Sequence, residues 1–246
     1  MKLIVVVPTF NEAENIASMV NRILSLGDEF EALVVDDNSP DGTATVVETL
    51  MADETRVHLL LRTEDRGLGN AVRAGFAEAL RLGADFIGQI DADGSHDPAM
   101  FPAMLERIES GDTDVTIGSR YLPESEIVGW GLHRHANSRV ANRLTWWFTR
   151  LPLADATNGL RLFRREVIES LDLSRLRSRG YSIILETNYR AYRLGYRFGE
   201  LPITFHPRTA GESKMGLREI VRFCVFLASL RLSPVPATAA KVPVEC

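Results

Sequence analysis

The feature that most limits what this chain can fold into is an alternation. Short runs of β-branched and other apolar residues are each followed by a polar cluster and then by a helical pattern. Parallel strands need long crossovers, and helices supplied by those crossovers bury both faces of the sheet, so the rhythm is that of an α/β domain with a mainly parallel sheet flanked by helices. Leu3 to Val7 reads as the first strand, and Ala32 to Val35, Val57 to Leu61, Asp85 to Ile90 and Val115 to Gly118 as those that follow. Helices are expected from about Thr43, Gly69 and Pro98. The first helix is expected to open on a capping box, Asn11 with Glu14 three residues on, to bury Ile16, Val20 and Ile23, and to stop near Gly27.

After Arg120 the texture changes. A polar, Gly- and Trp-containing loop through His135 is followed by a helix around Trp146, Trp147 and Phe148, then by less regular structure. A helix from Ile183 to Leu194 and a strand from Arg197 into Pro202-Ile203-Thr204-Phe205 are expected beyond it. The division that results is one domain over residues 1–216, with halves 1–120 and 121–216, an amphipathic helix over 217–233 and a flexible tail over 234–246.

The length of 246 residues, with 45% hydrophobic and 25% charged residues, suffices for one sizeable core. The formal net charge of −5 argues against a general nucleic-acid binder, which needs a cationic surplus to displace phosphate counterions. Cys224 and Cys246 are too few for a cysteine metal site and make a disulfide framework unlikely, so a reducing cytoplasm is expected. The apolar run at the start stops at Pro8 without a small-residue cleavage site, and Phe223 to Leu230 falls far short of the ~20 residues that span a bilayer.

In open α/β sheets, ligands bind beyond the carboxyl ends of the strands. The polar clusters fall there: Pro8 to Glu12 after the first run, Asp36 to Thr43 after the second, and Asp91-Ala92-Asp93-Gly94-Ser95-His96 after the fourth. Each has an ordinary explanation in turn and cap chemistry, which suffices for Asn11 and for Asp97 before Pro98. Asp91 and Asp93 differ, because two carboxylates at one strand end repel unless a cation or hydrogen-bond donors stand between them. A hard divalent ion, Mg²⁺ or Mn²⁺, shared with substrate phosphates suits oxygen ligands, and weighs ahead of a plain turn. No Gly-Lys-Ser/Thr phosphate loop follows the first strand and no Gly-x-Gly-x-x-Gly opens the first helix, which disfavours kinases and dinucleotide dehydrogenases. Gly67-Leu68-Gly69 could meet an anion with its N–H groups or simply turn the chain into a helix.

The combination of motifs resembles the family-2 glycosyltransferases with a GT-A, Rossmann-like fold, and within them the dolichol-phosphate mannosyltransferase group. The resemblance is carried in order by Val7-Pro8-Thr9-Phe10-Asn11-Glu12, Val35 to Thr43, Arg66-Gly67-Leu68-Gly69, Asp91-Ala92-Asp93, Gly118-Ser119-Arg120-Tyr121, Thr157-Asn158-Gly159-Leu160-Arg161, Gly180-Tyr181-Ser182 and Gly211-Glu212-Ser213-Lys214. It implies a GDP-mannose donor, a divalent cation and a polyprenyl-phosphate acceptor mannosylated with inversion. Pro8, Asn11, Glu12, Asp36, Asp37, Asp41, Arg66, Gly67 and Asp91 would serve the donor; Asp91, Asp93 and Ser95 the metal; and Asp93, Arg120, Arg134, Ser138, Arg208 and Lys214 the reaction and its phosphates. Ser95, Gly94 and Asn158-Gly159-Leu160 depart from the usual pattern.

Such an acceptor is already an anion at neutral pH, so no strong general base is needed, and His96 and His133 are not assigned one. Arginine's planar fork and lysine's mobile charge suit phosphate. Glu186 is either a salt-bridged structural group or a positioning group. Leu217 to Leu232 interleaves apolar residues with Arg218, Arg222 and Arg231, the pattern of a helix lying in the headgroup layer or against a partner protein. Peripheral attachment on a cytoplasmic membrane face is the expectation. The alternatives are a UDP-hexose donor, nucleotidyl transfer to a sugar phosphate, and a non-catalytic nucleotide-sugar-binding module.

Overall fold

The first strand decides the layering. In the computed structural model, which describes residues 1–178, 180–206 and 217–232, β1 (Leu3–Thr9) is buried along almost its whole length. Strand side chains alternate between faces. Leu3, Val5 and Val7 therefore join one apolar cluster with Ile16, Val20 and Phe101, while Ile4 and Val6 join the other with Val72 and Phe76. Each fully buried Val or Ile contributes about 1.5–3 kcal/mol, and a strand buried on both faces can only be central.

The seven-stranded sheet runs β3 (Val57–Leu61), β2 (Phe30–Asp36), β1, β4 (Phe86–Gln89), β7 (Arg161–Arg164), β5 (Val115–Ser119), β8 (Phe198–Pro202). Pairing is parallel except at β7, which is antiparallel to both neighbours. A small second sheet pairs β6 (Glu126–Ile127) with β9 (Thr204–Phe205) in parallel. Helices α1 (Ile16–Leu24), α2 (Thr43–Asp53) and α4 (Phe101–Glu109) cover one face. The other is covered by α3 (Leu68–Arg81), α6 (Arg165–Ser170), α7 (Ser182–Arg193) and α8 (Leu217–Leu232). Helix α3 lies so close to the sheet that a Cβ on Gly75 would come within 2.4 Å of Val6 Cγ1. Only glycine fits there.

Three expectations need correction. The capping box does not form: Asn11 is left-handed (φ 61°) and its N–H reaches across to Ser39 Oγ (2.9 Å). Residues 12–15 turn before α1 starts at Ile16, with Asn15 Nδ2 donating to Glu12 Oε2 (2.8 Å). A bond between two strand-end loops has displaced the local one. Second, the loop expected through His135 ends earlier, because α5 (Leu132–Thr149) begins inside it. Third, β7 had no counterpart in the sequence reading, since its short run is bounded by arginines and one of them, Arg161, is fully buried. Strand β6 likewise falls in the stretch read as a loop, while the remaining strands, the helices from Thr43 and near Gly69, and the final helix lie within a few residues of where the pattern puts them.

Candidate active site

The carboxyl ends of β1, β2 and β4 open on a cleft of about 470 Å³ lined by Pro8, Glu12, Asp37, Arg66, Gly67, Asp91 and Asp93, with Thr9, Phe10, Leu68, Ala71, Ala92 and Tyr181 completing the wall. Six of the nine residues expected to bind a donor, Asp91 among them, thus share one concavity with Asp93.

Asn11, Asp36 and Asp41 do not line the cleft; Asn11 and Asp41 are exposed. Asp36 is fully buried and accepts from Thr9 Oγ1 (2.8 Å), Ser39 N (2.8 Å) and Ser39 Oγ (2.6 Å), which ties the end of β1 to the loop after β2. Asp41 accepts from Ala13 N, Thr43 N and Thr43 Oγ1; desolvation alone would raise its carboxyl, but these bonds outweigh it and hold the pKa below the usual value. Asp37 sits in the wall itself, ion-paired with Arg62 and accepting from Gly67 N at 2.6 Å. It thereby pins the turn that starts α3.

Asp91 and Asp93 follow β4. Asp93 accepts from Ser95 N (3.0 Å), and the carbonyl of buried Ser95 accepts from His206 N (3.1 Å) just past β9. Asp91 faces Gly159, where a Cβ would meet the carboxylate oxygens at 3.2 and 3.3 Å. Behind it lies Arg161, wholly buried and bonded to Gln89, Ile184 O (3.0 Å) and Asn188 Oδ1 (3.0 Å). Burial pushes Arg161 down to about 9, against the opposing pull of Asp91, so it is still cationic at neutral pH. Among the described residues no group of three or more His, Cys, Asp or Glu side chains is placed to hold a metal alone. Two oxygen donors on the floor of an open cleft do fit Mg²⁺ or Mn²⁺, ions that leave coordination positions to water and to substrate phosphate.

Outside the lining of the cleft, but close enough for Arg120 to feel the charge of Asp91, stands a cationic and aromatic cluster. Arg120 forks onto Asp155 (Nε to Oδ2 2.6 Å, Nη2 to Oδ1 2.7 Å) in a nearly water-free setting. Desolvation works against both charges, yet their mutual bonding prevails, lowering Asp155 and raising Arg120. Asp155 is held in turn by Asn142 of α5 and by Asn158. Arg120 is therefore a fixed charge braced by a carboxylate rather than a mobile arm, and it lies 5.4 Å from the ring centres of both Trp130 and Phe205. Arg134 lies 4.2 Å over Trp130, within cation–π range. Half-buried Ser138 is one turn further along α5, its carbonyl accepting from Asn142. Arg208 and Lys214 lie outside the described residues.

His96 is buried edge-on to Phe205, and His133 is exposed on α5. Glu186 accepts from Arg177 N, Ser178 N and Arg190, which makes it the structural group of the two readings offered. Asp97 caps the turn at Pro98 by accepting from Ala99 N (2.8 Å). The sequence reading missed Asp155, Arg161, Tyr181 and Trp130. Arg161 and Tyr181 stood within quoted motifs, and a charged residue opening an apolar run, as in Arg161-Leu162-Phe163, was the available signal for a buried cation.

Comparison with known proteins places this architecture. A family model described as "Glycosyl transferase family 2" matches residues 4–172. The chain is 40% identical over 215 residues to the polyprenol monophosphomannose synthase of Mycolicibacterium smegmatis, covering 87% of this chain and 81% of that protein. It is 39% identical over 215 residues to the undecaprenyl-phosphate mannosyltransferase of Micrococcus luteus, covering 87% and 88%. Among solved structures it is similar to glucosyl-3-phosphoglycerate synthase from Mycobacterium tuberculosis in complex with Mn²⁺, UDP and glucosyl-3-phosphoglycerate, with TM-score 0.67, 18% identity and coverage of 94% of this chain and 78% of that one. The complex of that enzyme with Mn²⁺ and UDP-glucose gives TM-score 0.67 at 19% identity, covering 95% and 80%. With its mainly parallel sheet, helices on both faces and ligand rim at the strand ends, the chain has the GT-A fold and belongs to glycosyl transferase family 2.

Proposed function

We propose that this protein transfers mannose from GDP-mannose to a polyprenyl phosphate with inversion, at the cytoplasmic face of a membrane and with Mg²⁺ or Mn²⁺. The observation that carries the reading is the 40% identity to a polyprenol monophosphomannose synthase over 87% of the chain. The acidic residues of the cleft, with a cationic and aromatic cluster whose Arg120 interacts with Asp91, support it.

The acceptor's phosphate monoester is largely dianionic at pH 7, so a phosphate oxygen attacks the anomeric carbon without first losing a proton to the protein. The new carbon–oxygen bond forms on one face of the sugar as the bond to the donor's diphosphate breaks on the other. The electron pair departs with the diphosphate. Pro8, Glu12, Asp37, Arg66 and Gly67 line the donor's place, with Asn11, Asp36 and Asp41 shaping the loops that carry them. Asp91 and Asp93, with Ser95 bracing their loop, would hold the divalent ion, which when bound neutralises charge on the departing diphosphate. Arg120, neutralised by Asp155, serves as a rigid positioning group, and Arg134 and Ser138 receive the acceptor phosphate, joined in this reading by Arg208 and Lys214. Helix α8 contributes to the membrane-facing side, and among the described residues no helix is long and apolar enough to cross a bilayer.

The test is to incubate the purified protein and Mn²⁺ with a short polyprenyl phosphate and labelled GDP-mannose or UDP-glucose, then extract the lipid. Label is expected in the lipid from GDP-mannose. Label from UDP-glucose alone would replace the sugar and nucleotide, and label from neither would remove the proposal.

A further inference from the structure

Arg120 and Arg161 both feel the charge of Asp91, and they are braced differently. Arg120 is bonded to a carboxylate, Asp155, which cancels most of its field. Arg161 is wholly buried, and the oxygens that bind it are all neutral: Ile184 O (3.0 Å), Asn188 Oδ1 (3.0 Å) and Gln89 Oε1. Its Nε has no hydrogen-bond partner. A charge taken out of water is costly unless an opposite charge is bonded to it, so this site gives up stability to keep a cation.

Gln89 makes that cost specific. Strands β4 and β7 set Gln89 directly opposite Arg161, and while its Oε1 accepts from the guanidinium, its buried Nε2 has no partner. A carboxylate in place of that amide would keep the bond, leave no donor stranded and neutralise the arginine. Tying α7 to the sheet would be served equally well by such an ion pair. What the amide preserves is the positive field at Asp91. Gly159, just ahead of Arg161, already lies against that aspartate, where a Cβ would stand 3.2 Å from Oδ2. Positive charge behind a carboxylate weakens its hold on a cation in front of it. A divalent ion meeting Asp91 and Asp93 alone is opposed by that field, whereas one that shares a diphosphate brings countercharge with it.

We propose that the buried, amide-braced cation of Arg161 keeps Asp91 and Asp93 from holding a bare divalent ion, so that the ion is retained only together with a nucleoside diphosphate in the cleft. Arg161 is then a positioning residue that acts through Asp91. The inference deepens the proposed function and rests on its assignment of the metal to these two aspartates.

The experiment is equilibrium dialysis of the full chain against Mn²⁺, alone and with GDP or UDP, in the absence of acceptor. The parent should retain Mn²⁺ at least about tenfold more tightly with a nucleoside diphosphate than without. Gln89→Glu, which neutralises the guanidinium in place, should hold bare Mn²⁺ about fivefold more tightly than the parent, and Arg161→Met, which removes it, should do likewise. Should Arg161→Met lose its native circular dichroism, Gln89→Glu, which keeps the bond to Arg161, decides alone. Bare-ion affinity at or below the parent's in the folded variants makes Arg161 a brace only and overturns the proposal, as does a parent that holds Mn²⁺ equally well with and without nucleotide. A parent that retains no Mn²⁺ in any of these conditions removes the metal assignment and the proposal with it. Mn²⁺ binding as expected with no sugar transfer to any acceptor supports the proposal and counts against the proposed reaction alone.

Discussion

The rim of the cleft and the cationic cluster outside it fix their charged groups by opposite means. On the rim made by β1, β2 and β4, Asp36, Asp41 and Asp93 accept from neutral hydroxyls and backbone N–H groups, with Asp37 adding Arg62 to such a bond. On the flank made by α5, α7 and the segment before β7, charges are held by charges: Arg120 on Asp155, Arg190 on Glu186. A carboxylate held by neutral donors keeps its full negative charge, whereas a buried ion pair presents little net field. The first side can attract a cation. The second can only position what is already neutralised, and leaves attraction of an anion to residues such as Arg134.

Substitutions can break that contrast, and Asp93→Asn should do so most severely. It preserves the bond from Ser95 N but removes charge, so kcat/KM should fall about 10³-fold in a Mn²⁺-dependent transfer assay while the thermal transition stays put. An unaltered rate would mean that the rim's charge has no part in the reaction. Asp155→Ala should act on stability instead, by stranding Arg120 in a buried site at a cost of about 3–5 kcal/mol in urea unfolding. The pH dependence carries the same sign: because the folded pKa of Asp155 is lowered, its contribution is fully present above the ordinary value of 3.8 and is lost as pH falls through the depressed one. As pH drops below 3.8 the parent should therefore lose stability, and that share of the loss should be missing in Asp155→Ala, since a carboxylate with the same pKa folded and unfolded contributes no pH dependence.

Gly159→Ala sharpens the comparison where the two sides meet. Its methyl would press on Asp91 at 3.2 Å, and a carboxylate pushed from its place should cost about tenfold in kcat with little change in unfolding. Asn11→Gly should be mildest, within about 1 kcal/mol and about twofold in KM for the donor, since glycine adopts the left-handed backbone readily and Asn11 is exposed and does not line the cleft. A large rise in KM would show that its side chain reaches the nucleotide.

Legibility in the sequence followed the same divide. Strand-end aspartates of the parallel half were visible because each follows a β-branched run that can only be a buried strand, so Asp37, Asp91 and Asp93 could be brought to one rim on pattern alone. Asp155 and Arg161 were not. Their importance comes from partners 35 residues away in the chain for Asp155, through Arg120, and 72 for Arg161, through Gln89, and no local period encodes such a meeting. The start of α1 was misplaced for the same reason: the bond from Asn11 to Ser39 spans 28 residues. In α5 the signs conflict, with buried threonines beside partly buried Leu144 and Phe148 and two tryptophans exposed, which blurs any reading of which face is core.

Because β7 runs against its neighbours, its beginning rather than its end faces the ligand rim, and Gly159, just ahead of it, arrives beside Asp91. The stretch between Thr149 and Arg161 is therefore tied from two directions, by Asp155 to the arginine that follows β5 and by Gly159 to the aspartate that follows β4. A lineage altering its choice of acceptor would have to vary elsewhere, in segments that neither brace that ion pair nor touch that carboxylate.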